Sequence, residues 1–387
     1  MDFGTLVVIV LAGLGGPLLG VVGHRFVPVV IGEILAGVLV GPSLLGVVDP
    51  ADPTVAFLAQ VGFAMLMLTV GMHLPLRDRR LRASLRGGAL LAAIVGLLAI
   101  PAGALAAAIV GGGHAAIYAV LLASGSAAVL LPALEEARIE SDEALTVMAQ
   151  VTIADVITIL SVPIVLQPDR VGHAALASVL IVGCALVLVA CARLVARGAW
   201  TQRVRRLSKS RRWALDLRLS LLVLFLLAWI AQESGTSVLI AGFAAGVLVA
   251  VLGGPKRLST QTRGVADGFF VPLYFVVLGA GLDVGGLLRD PELLALVAAL
   301  AALTVAIRLV AVRTVRVRPA AALASSAQLG VPAAIASLGL AEHVLSASIA
   351  TAIVAAALIS LAVATVGVER LAATSLTATI SRSAPRS

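Results

Sequence analysis

The chain has 387 residues, of which 60% are hydrophobic, 12% charged and 4% aromatic, with a formal net charge of +8 and a mean hydropathy of +1.11. That balance excludes an ordinary soluble domain and points to a polytopic, all-α membrane protein. At about 20 residues per helical crossing, the length holds roughly a dozen spans with short loops and leaves no room for a sizeable soluble domain.

Apolar windows bounded by glycine, proline and charge clusters predict thirteen spans, at 4–22, 27–48, 54–74, 88–111, 115–134, 144–166, 173–196, 214–231, 236–253, 268–283, 292–312, 319–340 and 345–369. The opening MDFGTLVVIV lacks a basic n-region and a small-residue cleavage site, so it reads as the first span. One set of alternate loops carries Arg25; Arg77, Arg79, Arg80, Arg82 and Arg86; the run 197–212 (RGAWTQRVRRLSKSRR); Lys256, Arg257 and Arg263; and Arg313, Arg316 and Arg318. The other set carries Arg170 and Arg289. Read by the positive-inside rule, this asymmetry predicts an external N-terminus, a cytoplasmic C-terminus and a short cytoplasmic tail over 370–387. The acidic loop 135–143 (EEARIESDE) is tolerated on the inner side because acids weigh little in that rule. Arginines at membrane borders, without interleaved aromatics, argue against a nucleic-acid partner.

The sixth span contains QVTIADVITILSV (150–162), an apolar run with one carboxylate, Asp155, near its middle. An ionised acid at that depth costs several kcal/mol, about 3 on insertion scales, and such residues commonly mark ion or proton pathways. Thr152 and Thr158 lie one turn to either side and give the helix a weakly polar stripe. Cys184 and Cys191 are seven apart in one apolar run and read as small packing residues. His24, His73, His114, His173 and His343 all fall near predicted membrane edges, and neither an H-E-x-x-H nor a G-x-S-x-G pattern occurs, so neither an enzyme nor a cofactor is expected.

An internal repeat organises the rest. AGVLV occurs at 36–40 in the second span and at 245–249 in the ninth, each followed closely by Gly-Pro; MLTVGMHL (67–74) in the third span is echoed by VVLGAGLD (276–283) in the tenth. Corresponding spans are thus seven helices apart. An odd offset turns the second copy over in the bilayer, which predicts two inverted-topology repeats, 27–166 and 236–369, joined by a linking helix at 173–196. The fifth and twelfth spans then correspond, and both are interrupted by small residues, ASGSA at 123–127 and SSAQLGVP at 325–332. Paired broken helices free backbone carbonyls and bring half-helix dipoles to the midplane, so the transport site is expected where they cross, with Asp155 on the span that follows the first break.

Two further charges lie within spans. Arg308 in the eleventh has two open readings: it snorkels to the inner surface with Arg313, or it partners a core acid or the carbonyls of the broken segments. Glu33 in the second lines an inward cavity or packs at a helix or dimer surface.

With these residues in view, the chain resembles the monovalent cation:proton antiporters, which include bacterial sodium/proton and potassium-efflux exchangers. PVVIGEILAGVLVGPSLLG (28–46) is similar to that family's early helix, FFVPLYFVVLGAGLDV (269–284) to its later symmetry mate, and TIADVITIL to the helix bearing its aspartate. The resemblance covers essentially the whole chain. It implies a core domain with two crossed, unwound helices moving against a dimerisation domain, Asp155 alternately holding a proton or a cation, Arg308 at or near the family's basic residue, and a homodimer in the inner membrane. Ala154 stands where relatives often carry Asp, Asn or Gln, and Gly125 with Ser126 where a Ser-Thr or Thr-Asp pair is common.

The expected cation ligands are Asp155, Thr152, Ser124, Ser126 and freed carbonyls, with Gln328 as a further candidate, since a hard monovalent cation takes several oxygens. Sodium or potassium and the proton then compete for one carboxylate, and arginine does not titrate at physiological pH, so electroneutral exchange is expected. A sodium-coupled symporter of an organic solute, or a cation channel, is the alternative reading.

Overall fold

The computed structural model describes residues 2–22, 28–74, 79–139, 141–168, 214–234, 237–252, 256–315 and 317–383, with a few isolated positions between 172 and 190. Among these residues all regular structure is helical. Eight helices are long and apolar enough to cross a membrane, and the shorter apolar helices Phe3–Leu19, Val29–Val40, Val238–Leu252 and Gly330–Ala341 accompany them. Apart from those isolated positions, the expected linking helix 173–196 lies outside the described residues, as do the basic run 197–212, Arg25, Arg77, Arg170, Arg316, His24, His173 and Cys191.

In chain order, α1 (Phe3–Gly13) starts behind Asp2, whose carboxylate accepts the Thr5 N–H, and passes through Leu14 into α2 (Gly15–Val22). Leu14 keeps right-handed helical backbone, its N–H reaching Val10 O and its carbonyl accepting the Leu18 N–H, so the expected first span is one apolar helix over Phe3–Leu19. Next, α3 (Val29–Val40) ends at Gly41, and α4 (Pro53–Met72) begins with Asp52 accepting from Thr54 and Val55 and with proline in its first turn, where no N–H is missed. Then α5 (Arg79–Ile109) begins well before the expected 88, carrying loop arginines on its first turns. The fifth expected span is α6 (Ala115–Ala123) and α7 (Ala127–Glu136), and α8 (Asp142–Leu166) follows behind the Ser141 cap with Asp142 and Glu143 at its positive end.

In the second half, α9 (Leu215–Glu233) and α10 (Val238–Leu252) precede one helical run made of α11 (Lys256–Val265), a π-helical turn (Ala266–Phe270) and α12 (Val271–Ala280). Short α13 (Val284–Arg289) leads to α14 (Pro291–Val315), the broken pair α15 (Pro319–Ala324) and α16 (Gly330–Ala341), and α17 (Ala347–Ser383).

The repeated glycines sit where helices touch backbone to backbone. A Cβ on Gly37 of α3 would run into the Val276 carbonyl of α12, and one on Gly279 of α12 into the Ile34 carbonyl of α3. The second AGVLV behaves alike: a Cβ on Gly246 of α10 would meet the Leu68 carbonyl of α4, and one on Gly71 of α4 would lie 2.5 Å from the Phe243 carbonyl. Helices in lipid associate by such close packing. Elsewhere α5, α6 and α8 pack together, and α17 lies along α14, α15 and α16, which sets both broken helices inside the bundle.

At the far end of α12, Asp283 ties this helix to α17. Its carboxylate accepts from the Gly286 N–H at 2.8 Å and the Ser348 hydroxyl at 2.9 Å, and its own N–H donates to Thr351 Oγ1 at 2.8 Å. The Gly286 N–H, then the Ser348 hydroxyl, hold its carboxyl below the ordinary value of 3.8. A depressed folded pKa stabilises above the unfolded value and is lost as pH falls through the folded one. Asp283→Ala is therefore expected to lower the thermal midpoint at neutral pH, with the gap to wild type closing once the pH drops below 3.8; midpoints measured across pH 3 to 8, roughly the range over which carboxylates change charge, check this.

Candidate functional site

Both broken helices open where the sequence places small and polar residues. In the first, Ser124 and Ser126 adopt extended backbone between α6 and α7. In the second, helical geometry stops at Ser325 and resumes at Gly330. Four helix ends are thereby brought into the bundle, two C-terminal with free carbonyls and two N-terminal with free N–H groups.

Arg308 satisfies the C-terminal ends. It projects from α14, is only 1% exposed, and donates four hydrogen bonds to backbone carbonyls. Nε reaches Ser325 O at 2.9 Å, Nη1 reaches Leu122 O at 3.2 Å and Thr304 O at 2.9 Å, and Nη2 reaches Ser124 O. One guanidinium thus closes the ends of α6 and α15 together, placing its charge where both half-helix dipoles are negative. Of the two readings left open by the sequence, burial rules out snorkelling, and the partners are the carbonyls of the broken segments.

Asp155 does the opposite at the opposite pole. It lies on α8, is 3% exposed, and its Oδ2 accepts the Ala127 N–H, the first of α7, at 2.8 Å. An anion at a helix N-terminus is where the dipole favours it. The fourth end, at α16, has no side-chain cap: Leu329 stands in the capping position. Among the four ends, one carboxylate and one guanidinium carry the charge.

The other expected ligands gather around these two. Ser124 and Ser126 are buried within the first break, and Ser124 Oγ donates to Leu121 O at 2.7 Å. Gln328, from the second break, donates Nε2 to Leu121 O at 2.8 Å and Ser124 O at 3.3 Å, which stitches one break to the other. Thr152 and Thr158 flank Asp155 and turn their hydroxyls back on their own helix, to Met148 O at 2.8 Å and Ala154 O at 2.7 Å. Their oxygen lone pairs stay available. Gln150 is buried with its Nε2 unpartnered. A small cavity beside the breaks is lined by Thr304, Gln328, Leu121 and Leu122, with Pro332 and Ile353 among its apolar walls.

Glu33 stands apart. It is buried on α3 beneath α2, where a Cβ on Gly16 would lie 3.0 Å from its Cγ. Sequence reasoning named the carbonyls of the broken segments only as a class and missed the individual groups: it did not single out Leu122 O, Ser124 O or Ser325 O, nor the Thr304 carbonyl or the Ala127 N–H. No side chain marks such groups, and only the interruption itself signals that they exist.

The family sequence profile described as "Sodium/hydrogen exchanger, transmembrane" matches residues 6–374. The chain belongs to this family. YjbQ of Bacillus subtilis is 25% identical over 317 residues, 76% of this chain and 50% of that one. The glutathione-regulated potassium-efflux system protein KefC of Shigella sonnei is 26% identical over 275 residues, 68% of this chain and 42% of its own length. The chain therefore spans about half the length of these relatives. The structure of the sodium proton antiporter MjNhaP1 from Methanocaldococcus jannaschii at pH 8 superposes with a TM-score of 0.64 at 16% identity, covering 96% of this exchanger-family chain and 98% of that one, which shows a shared fold.

Proposed function

We propose that this protein exchanges a monovalent cation, sodium or potassium, for protons across a membrane, with Asp155 as the shared site. The observation that carries the reading is a single buried carboxylate held at the N-terminal end of α7, beside a break whose C-terminal end is closed by Arg308. A proton and a cation then exclude one another at Asp155, while the arginine keeps its charge throughout. Thr152, Ser124, Ser126 and Gln328 contribute oxygens to the cation once it displaces the proton. One titrating carboxylate gives one proton per cation, hence electroneutral exchange.

The larger architecture follows the same reading: thirteen spans, inverted repeats at 27–166 and 236–369, a linking helix at 173–196, and a core that slides against the remainder as an elevator. The two glycine crossings support it, because α3 meets α12 and α10 meets α4, and exchanging the two copies converts one pair into the other. A homodimer in the bacterial inner membrane, with the N-terminus outside and the C-terminus inside, completes the proposal. The names borne by KefC and MjNhaP1 favour an exchanger over a symporter of organic solutes, and the sealing of both breaks by Arg308 favours alternating access over an open channel.

Proteoliposomes loaded with a pH dye provide the test. Sodium, potassium or lithium pulses without any organic solute are expected to move protons in the opposite direction, and an imposed membrane potential is expected to leave that flux unchanged. Cation uptake without proton movement would favour the symporter or channel, and a flux that tracks the potential would remove the electroneutral stoichiometry.

A further inference from the structure

Tyr274 of α12 is fully packed yet polar at its tip. Its ring lies against Phe63 of α4 with centroids 5.2 Å apart, and its hydroxyl is 3.0 Å from Ala333 O and 2.7 Å from Ser337 Oγ, both on α16. Ser337 Oγ also lies 2.8 Å from Ala333 O, so the two hydroxyls share their protons between each other and the Ala333 carbonyl. The two helices joined here differ in kind. On one side, α12 is packed backbone to backbone against α3 at Gly37 and Gly279. On the other, α16 is half of a broken helix with no capping side chain at its N-terminus, and five residues ahead of Ala333 it presents Gln328 to Leu121 O and Ser124 O of the first break.

We infer that Tyr274 is a positioning residue for the exchange site, a latch between the glycine-packed α3–α12 pair and α16 that sets where Gln328 meets the first break. This rests on the proposed exchange function for its purpose, but the latch itself is a two-position device that can be read without transport. A hydroxyl buried at 3% residue exposure loses its partner when α16 moves and has no water to replace it. Breaking the latch should therefore free α16 and loosen cation binding together.

The test uses the full chain with Cys184 and Cys191 replaced by Ala and one cysteine placed at half-buried Leu338 on α16. Thiol labelling in proteoliposomes reports how often α16 leaves its seat. Tyr274→Phe keeps the ring against Phe63 and removes only the hydroxyl; it is expected to raise the labelling rate about tenfold, the weight of one buried neutral hydrogen bond. Adding Ser337→Ala to Tyr274→Phe is expected to change nothing more, since both act on one interaction. The cation KM should rise while the thermal midpoint holds. Labelling within about twofold of the parent, or a further rise on adding Ser337→Ala, overturns the latch. So does an unchanged KM with a maximal rate that falls only as the midpoint falls. A parent protein that moves no protons on any cation pulse overturns the exchange reading instead, and the labelling ratio still decides the latch.

Discussion

Asp155→Asn is expected to reduce cation-driven proton movement to the level of protein-free liposomes while the protein stays folded. The two halves of that outcome have separate causes. Asparagine keeps an oxygen where Asp155 Oδ2 accepts the Ala127 N–H, and Asn and Asp are about equally good helix caps, so the loss at the α7 terminus is within about 1 kcal/mol. Removing the charge from a side chain that is 3% exposed also relieves its burial. What asparagine cannot do is bind and release a proton in the accessible pH range, or neutralise a desolvated cation. A thermal midpoint within about 3 °C of wild type together with lost exchange is the expected pair of results. Retained exchange would take Asp155 out of the mechanism, and lost exchange in an unfolded variant would say nothing for it, which is why both are measured on one preparation.

Arg308→Met should have the larger structural effect. Methionine fills much of the same volume but donates nothing, so the carbonyls of Leu122 and Ser325 are left at places where helix geometry offers no N–H in the guanidinium's stead, while Ser124 O keeps Gln328 Nε2 at 3.3 Å. Each buried acceptor left unpaired costs about 1–3 kcal/mol, while removing a buried cation recovers part of its desolvation; the net loss is set at about 3–5 kcal/mol, in line with breaking other buried charged networks. The expected result is a markedly lower thermal midpoint and no exchange. Arg308→Lys should fall between, because an ammonium keeps the charge at the two negative helix ends but lacks the planar fork that spans two breaks. A methionine variant with the wild-type midpoint would show that the breaks are held by something other than this side chain.

Much of this site was legible before any coordinates. A carboxylate in an apolar run is conspicuous whatever surrounds it, so Asp155 stood out, and ASGSA and SSAQLGVP stood out because small residues and proline weaken a helix. Arg308 was only half legible: its side chain is long enough to reach either the inner surface or the core, and composition along α14 does not distinguish them. The partners of Asp155 and Arg308 are backbone groups, and residue identity carries no mark of them.

Helix boundaries failed for a related reason. Residues 256–267, KRLSTQTRGVAD, read as a polar loop because they are charged, yet α11 and the π turn continue into α12, since a helix leaving the apolar zone can carry polar residues without ending. Gly37 and Gly246 each sit at a backbone-to-backbone helix crossing, which is why the AGVLV they share was informative beyond its length.

The central claim is competition between a proton and a cation at one carboxylate, and its most direct test needs no membrane transport at all. Purified protein in weakly buffered detergent solution is titrated with sodium or potassium chloride while released protons are counted against bound cation. Competition at Asp155 predicts about one proton released per cation near neutral pH, a release that fades as the pH rises past the site's own pKa and is absent in Asp155→Asn. Cation binding to the wild-type protein with no proton release at any pH would contradict it.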